Sequence, residues 1–127
     1  VPQQPVNLMV TGLPPAATFV PANFCSDPNS AQISVPGVGQ EVSGLVTIIG
    51  TARLPDFGYY RIDVRRPDAE AYEYLLDFRV PVENGVLGQL DTELFENGLY
   101  WLRLSVVDRN GSVPFTAICS VAVYIDN

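Results

Sequence analysis

The side chains able to carry out chemistry are of few kinds in this 127-residue chain: fourteen carboxylates, seven arginines and two cysteines, with no histidine and no lysine. Histidine is the usual general base and the commonest metal ligand. Its absence excludes Ser-His and Cys-His nucleophile pairs and zinc sites of the His/Cys type, and the absence of lysine excludes Schiff-base chemistry. A glycosidase-like carboxylate pair remains, but the acids are scattered without a specific spacing. The sequence therefore predicts a non-enzymatic protein without catalytic residues, cofactor or metal.

The two cysteines, Cys25 and Cys119, lie far apart in the sequence. Their spacing differs from the close spacing of metal and redox motifs. We predict a structural disulfide between them, which implies an oxidising compartment, and two buried free thiols are the alternative. Such a bridge would tie the start of the chain to its last strand-like segment.

Charge and hydropathy limit the partners of the chain. Its net charge is −7, whereas nucleic-acid binding needs a basic surface, so we predict no nucleic-acid partner. Apolar residues make up 47% of the chain, and their runs are far shorter than the roughly 18–20 residues of a membrane span, so we predict a globular protein without membrane insertion. The start at Val1, without Met or a signal pattern, is expected of a processed protein or of a piece of a longer one. With the disulfide, these features predict an extracellular or cell-surface location.

The chain divides into two zones of different composition. Residues 1–40 contain seven of the eleven prolines and a single charged residue, Asp27. Because proline cannot donate to a strand ladder, we predict an extended N-terminal segment there, with short strand patterns at 6–10 and 31–35. Ile33 and Val35 would share one face of the second pattern. Residues 41–127 contain all seven arginines and thirteen of the fourteen acids, and we predict that they form the folded domain.

Residues 41–127 show alternating apolar patterns separated by turn residues. The alternation predicts inward faces made of Val46, Ile48 and Ala52, of Tyr60, Ile62 and Val64, of Tyr74, Leu76 and Phe78, of Tyr100, Leu102, Leu104 and Val106, and of Cys119, Val121, Val123 and Ile125. Asn-Gly pairs predict turns at 84–85 and within 108–111. Short strands at regular spacing predict an all-β fold, a β-sandwich of about seven strands.

Residues 84–111, NGVLGQLDTELFENGLYWLRLSVVDRNG, and the upstream GLVTIIGTA strand carry a family resemblance. The matching positions are Asp91, Thr92, Leu94, Gly98, Tyr100, Leu102, Arg103, Leu104, Asp108 and Gly111. They resemble bacterial extracellular immunoglobulin-like and fibronectin-III-like domains over residues 41–127. The resemblance implies an immunoglobulin-like Greek-key topology for the sandwich, and a role as a spacer, an adhesion unit or an assembly subunit. Independently of it, a tyrosine opening the penultimate strand predicts a tyrosine corner, with the Tyr100 hydroxyl bonded to the backbone upstream.

The only tryptophan, Trp101, should face outward if Tyr100 and Leu102 face inward. In such a sandwich its strand lies between the strand that begins near Tyr59 and the last strand. The outward side chains of these three strands predict a partner-binding surface made of Trp101, Tyr59, Tyr124, Arg61, Arg65 and Arg103. Aromatic residues and arginine are typical of protein interfaces. Stacking of arginine on the tryptophan of a solvated sheet is the simpler alternative.

A carbohydrate-binding module is the alternative function, because aromatic rings on a flat sheet can stack on sugars. The arginine content favours a protein partner. Two further patterns are weaker. Asn110-Gly111-Ser112 is a glycosylation sequon better explained as a turn. A set of acids, without EF-hand spacing, suggests calcium but is better explained as a solvated loop: Asp63, Asp68, Glu70, Glu73 and Asp77.

Residues 1–12 carry the most specific hypothesis about assembly. The segment is uncharged, Val6, Leu8 and Val10 share one face, and prolines at 2 and 5 favour an extended chain. We predict that it adds a strand to another subunit of a noncovalent filament, since the chain has no lysine for isopeptide links. The alternatives are the first strand of its own domain or a linker.

Overall fold

Nine strands arise in residues 23–127, the part of the chain that this computed structural model describes. They are β1 (Asn23–Cys25), β2 (Ala31–Val35), β3 (Glu41–Val42), β4 (Leu45–Ala52), β5 (Phe57–Arg65), β6 (Glu73–Phe78), β7 (Val82–Asp91), β8 (Gly98–Asp108) and β9 (Ile118–Ile125). Two short 3₁₀ turns, Thr92–Leu94 and Phe115–Ala117, precede β8 and β9. The predicted all-β fold is confirmed, with seven strands of five residues or more and two shorter ones. None of the described residues forms a helix long and apolar enough to span a membrane.

The strands form two sheets that enclose one core. The six-stranded sheet has the order β1-β9-β8-β5-β6, and β3 lies alongside β9 in a parallel pair. The three-stranded sheet has the order β2-β4-β7. All the other strand pairs are antiparallel, as expected of a β-sandwich.

The inward faces predicted for β5, β8 and β9 are confirmed. Their apolar side chains are at most 4% exposed: Tyr60, Ile62, Val64, Tyr100, Leu102, Leu104, Val106, Cys119, Val121, Val123 and Ile125. The Tyr60 hydroxyl donates to the Leu87 carbonyl at 2.6 Å, which joins β5 to β7 across the core, and burial raises the pKa of Tyr60. This hydrogen bond satisfies a polar group that would otherwise destabilise the core.

The predicted tyrosine corner is also confirmed. The Tyr100 hydroxyl donates to the Glu96 carbonyl at 2.7 Å, four residues upstream. Phe95 packs edge-on against the Tyr100 ring, and the Arg66 guanidinium lies 5.5 Å from the ring centroid. The turn before β8 is therefore anchored to the strand that follows it.

The prediction for β6 is wrong in its alternation. A register shift in the β5–β6 pair falls between Ile62 and Asp63. As a result Leu75 and Leu76 both pack against the core, while Tyr74 and Phe78 are 59% and 49% exposed. An irregularity of this kind interrupts the two-residue period on which the prediction rests.

The two predicted Asn-Gly turns have opposite outcomes. Asn84 and Gly85 lie inside β7, so the turn predicted there is wrong. Asn84 has φ 49°, and its N–H donates to the Thr51 hydroxyl at 3.0 Å. Its left-handed conformation therefore forms part of a bulge in β7. The other turn is confirmed, because the Gly111 N–H donates to the Asp108 carbonyl at 3.0 Å.

The described part of the proline-rich zone contributes to both sheets. β1 pairs with β9, β2 pairs with β4, and Ala31 and Ile33 belong to the core. Val35 does not share the environment of Ile33, because a register shift separates the two residues and leaves Val35 38% exposed. The part of the proposed N-terminal segment that is described thus packs on the same core as residues 41–127. The predicted donor residues Val6, Leu8 and Val10 lie outside the described residues.

The predicted disulfide between Cys25 and Cys119 is present. The two residues are direct partners in the β1–β9 pair, so the bridge crosses neighbouring strands. The Ile33 N–H donates to the Cys119 sulfur at 3.3 Å. The bridge and this contact join β1, β2 and β9 at one place in the core.

Candidate functional site: the outer face of the six-stranded sheet

Trp101 lies on the outer face of the six-stranded sheet, as predicted. Its neighbours Tyr100 and Leu102 are buried on the inner face, and Trp101 itself is partly exposed. β8 lies between β5 and β9, so Trp101 stands between Arg65 on one side and Ala122 on the other. The sequence therefore places this side chain correctly, and its role in binding stays a prediction.

Phe24 is a site residue that the sequence reasoning missed. It is 67% exposed and its ring packs against Trp101, with 5.7 Å between the ring centroids and a tilt of 31°. β1 carries it there, because Phe24 pairs with Ser120 at the outer face of β9. A signal was present in the sequence: if Cys25 reaches Cys119 on the inner face, its neighbour must point outward.

A buried carboxylate lies at the centre of the outer face. Asp63 is only 1% exposed, and its two oxygens accept hydrogen bonds from Arg61 Nε at 2.8 Å and Arg103 Nη2 at 2.9 Å. The hydrogen bond and the charge of Asp63 raise the pKa of Arg61. Two of the three arginines predicted to meet a partner, Arg61 and Arg103, are thus held in place by an acid of their own sheet. A carboxylate shared by two guanidinium groups fixes the orientation of both.

Tyr72, on the loop between β5 and β6, extends this arrangement. The guanidinium carbons of Arg103 and Arg65 lie 3.8 Å and 5.2 Å from the centroid of its ring. Arg65 also donates to the Ala69 carbonyl at 2.7 Å. The Nε of Arg103 is buried and has no hydrogen-bond partner among the described residues, in keeping with its place against the ring. Arg65 and Arg103, two of the predicted site residues, therefore hold this loop against the sheet.

Two more arginine–tyrosine pairs line the same sheet. Arg61 lies 5.8 Å from the Tyr74 ring centroid, and Arg79 lies 5.0 Å from that of Tyr59. These two contacts use tyrosines of β5 and β6. Each is worth about 0.5–1 kcal/mol at an exposed position. Together they order side chains that would otherwise be mobile.

A depression of about 280 Å³ lies on this face beside the β8–β9 turn. Tyr59, Arg61 and Arg103 line one side of it, and Val113 lines the side near the turn. Tyr124 lies further along β9, paired with Leu99 and with β3, and does not line the depression. The structure thus gathers Tyr59, Arg61 and Arg103 of the predicted set around one concavity, whereas Trp101, Arg65 and Tyr124 do not line it.

The acids considered for calcium are not gathered at one point. Asp63 is held by two arginines, and Asp68 lies 3.9 Å from Arg66 Nε. Within residues 23–127, no group of three histidine, cysteine, aspartate or glutamate side chains could hold a metal ion. Asn110, the sequon residue, lies in the confirmed turn, where its N–H donates to the Asp108 carboxylate at 2.9 Å.

No protein-family model matches the chain, and no curated protein matches it.

Proposed function

We propose that this chain is a non-catalytic structural or adhesive module that binds a protein partner, or another copy of itself, through the outer face of its six-stranded sheet. The observation that carries the proposal is the Phe24–Trp101 pair. It combines a phenylalanine that is 67% exposed with the only tryptophan of the chain. Solvent-exposed aromatic pairs beside arginine have the composition of interface hot spots.

The ordered arginines support a binding role for this face. Asp63, Arg61, Arg103 and Tyr72 form one connected set of hydrogen bonds and ring contacts. A surface whose side chains are already held loses less conformational entropy when a partner docks. The face is thus preorganised next to the aromatic pair.

An immunoglobulin-like or fibronectin-III-like assignment is part of the proposal. The strand orders β2-β4-β7 and β9-β8-β5-β6 and the hydrogen bond from Tyr100 to Glu96 support it. Extracellular or cell-surface location is supported by the disulfide, because such bridges persist in oxidising compartments. Assembly into a noncovalent filament by strand addition is a separate part of the proposal, because an added strand joins copies at a strand edge and leaves the outer face free for a partner.

Alanine substitution at the aromatic pair tests the proposal. Phe24→Ala and Trp101→Ala should each weaken self-association or partner binding by at least about tenfold, the effect of losing a hot-spot side chain. The melting temperature should change little, because both side chains lie outside the core. Self-association is measured by analytical ultracentrifugation, and partner binding on arrays of purified secreted proteins and glycans.

Phe115→Ala is the matched control, since Phe115 is 78% exposed on the turn before β9. It should leave binding unchanged. Equal binding by all three variants would contradict the proposal, and so would a loss of several kcal/mol in stability for Trp101→Ala. Binding to glycans alone, lost in the two site variants, would favour the alternative carbohydrate-binding function.

A further inference from the structure

Two strand edges border one groove on the side of the sandwich away from β1. β6 pairs only with β5 and β7 pairs only with β4 among the described residues, so each has one edge without a strand partner. Phe78 of β6 and Val82, Val86 and Leu87 of β7 line a common opening between them. We call this opening the β6–β7 groove.

The β6–β7 groove is apolar and exposed. Val80, which connects the two strands, is 69% exposed, Val86 is 59% exposed and Phe78 is 49% exposed. Its volume of about 260 Å³ is below the ~300–1,000 Å³ of typical small-molecule sites. It suits a few aliphatic side chains. Apolar side chains beside an unpaired edge invite another strand, and a protein that leaves them open risks aggregation.

The opposite edge of the six-stranded sheet has no room for the chain that precedes β1. β1 pairs with β9 over Asn23–Cys25, opposite Val121 to Cys119. The next positions of β9 are already paired: the Gly39 N–H donates to the Ala122 carbonyl at 2.8 Å, and the Tyr124 N–H donates to the Gln40 carbonyl at 2.9 Å. The edge of β9 beyond Val121 is therefore already occupied by residues 39–42.

We propose that the β6–β7 groove receives residues 6–10 of a second copy of this chain as an added strand. The segment VNLMV is uncharged and alternates, with Val6, Leu8 and Val10 on one face. An added strand of this kind gains main-chain hydrogen bonds at the free edge and places alternate side chains in the groove. The inference rests on the assembly role proposed above and names its donor and its acceptor.

A second copy is favoured over the same copy by the position of β1. β1 and β6 are the two ends of the strand order β1-β9-β8-β5-β6, so four strand spacings, or about 19 Å, separate them. The chain between residue 10 and β1 contains Pro14, Pro15 and Pro21. Extended at about 3.1 Å per residue, residues 11–22 would span about 37 Å, roughly twice the separation of β1 and β6, so a stiff proline-rich spacer would overshoot the groove of its own copy. Donation to a neighbour is head-to-tail and builds a filament where it does not close into a ring.

Two full-length variants, one defective in each half of the contact, test the inference. Leu8→Asp places a charge on the donor face, and Val86→Asp places one in the groove, at a position exposed enough to tolerate it. Each variant alone should be monomeric in sedimentation velocity at concentrations where the wild type forms oligomers. A mixture should form a 1:1 dimer and nothing larger, because the Val86→Asp chain can still donate and the Leu8→Asp chain can still accept.

Val80→Asp repeats the groove test at a second exposed position, in case Val86→Asp alters the strand. Leu45→Asp is the control, since Leu45 is 64% exposed on β4 outside the groove, and it should assemble like the wild type. Circular dichroism and the fluorescence of the single tryptophan verify that each variant is folded.

Several outcomes would overturn the inference. A wild type that stays monomeric over a hundredfold range of concentration would contradict it. Groove variants that assemble as well as Leu45→Asp would contradict it too. If Leu8→Asp and Val86→Asp each lower the melting temperature of a monomer, the segment occupies the groove of its own chain. Assembly lost in Trp101→Ala but kept in Val86→Asp would leave the proposed function standing without this groove. Assembly lost in Val86→Asp but kept in Trp101→Ala would instead support the groove as the site of assembly. It would also show that assembly does not use the outer face.

Discussion

Asp63 shows how one residue organises the candidate site. Among the described residues it is the only charged side chain that is almost fully buried, and two arginines occupy its oxygens. A buried carboxylate without partners would be very costly, so the arginines are needed by the fold as well as by any binding surface. Asp63 in turn fixes the positions of both arginines on the outer face of the sheet.

Asp63→Asn should therefore lower the free energy of unfolding by about 2–4 kcal/mol, since it removes the charge that two arginines share. The lower part of this range applies if the arginines turn to water, because their side chains are 43% and 32% exposed. Chemical denaturation measures the change. Glu83→Gln is the control: Glu83 pairs with Arg53 at 3.0 Å, but both are largely exposed, and the expected loss is below about 1 kcal/mol. Equal losses in the two variants would show that Asp63 is no more than a surface partner.

β1 is the element that joins the N-terminal part of the chain to the candidate site. It is only three residues long, yet it supplies Cys25 to the bridge on the inner face and Phe24 to the aromatic pair on the outer face. A strand of this length is weakly held by its ladder alone. We infer that the disulfide keeps Phe24 against Trp101.

Reduction of the disulfide should therefore release β1 and change the environment of the single tryptophan. The bridge closes a separation of 94 residues, for which the chain-entropy model assigns roughly 4–5 kcal/mol as an upper figure. We expect reductant to lower the midpoint of denaturation and to shift Trp101 fluorescence before global unfolding. Cys25→Ala is the control, since its stability should not respond to reductant. Two thiols that alkylate freely in the native, unreduced protein would contradict the bridge itself.

At the scale of the whole molecule, the two sheets are completed by residues from both zones of the sequence. β2 forms an edge of the three-stranded sheet and brings Ala31 and Ile33 into the core, and β1 extends the six-stranded sheet. Residue 40 therefore marks a change in amino-acid composition, but described residues on both sides of it pack in the same core.

Truncation tests where the folded unit begins. A chain of residues 23–127 should keep the melting temperature of the monomeric Leu8→Asp chain, since it retains both sheets and the bridge, whereas the assembled full chain gains stability from docking. A chain of residues 41–127 loses β1, β2 and the disulfide, and the loss of the bridge alone is worth about 2–4 kcal/mol of a total stability near 5–15 kcal/mol. We expect that shorter chain to be largely unfolded by circular dichroism. A cooperative transition equal to that of the longer chain would instead support a domain that begins at residue 41.

The sequence by itself determined the fold class and the inner faces of three long strands. Tyr60, Leu102 and Val121 are buried where alternation predicts, because the two-residue period is a property of each strand alone. The pairing of Cys25 with Cys119 was likewise predictable, since the chain has no other cysteine. The hydroxyl of Tyr100 returns to the upstream backbone through a contact only four residues away in sequence.

Only the tertiary structure decided which side chains meet across strands. The burial of Asp63, the contact of Phe24 with Trp101 and the contacts of Tyr72 with two arginines depend on which strands are neighbours and on their register. The register shift in β6 and the bulge at Asn84 likewise depend on how these strands pair with their neighbours. Alternation shows which way a side chain points, whereas its neighbours come from residues far away in the chain, so the candidate site exists only once the sheets are assembled.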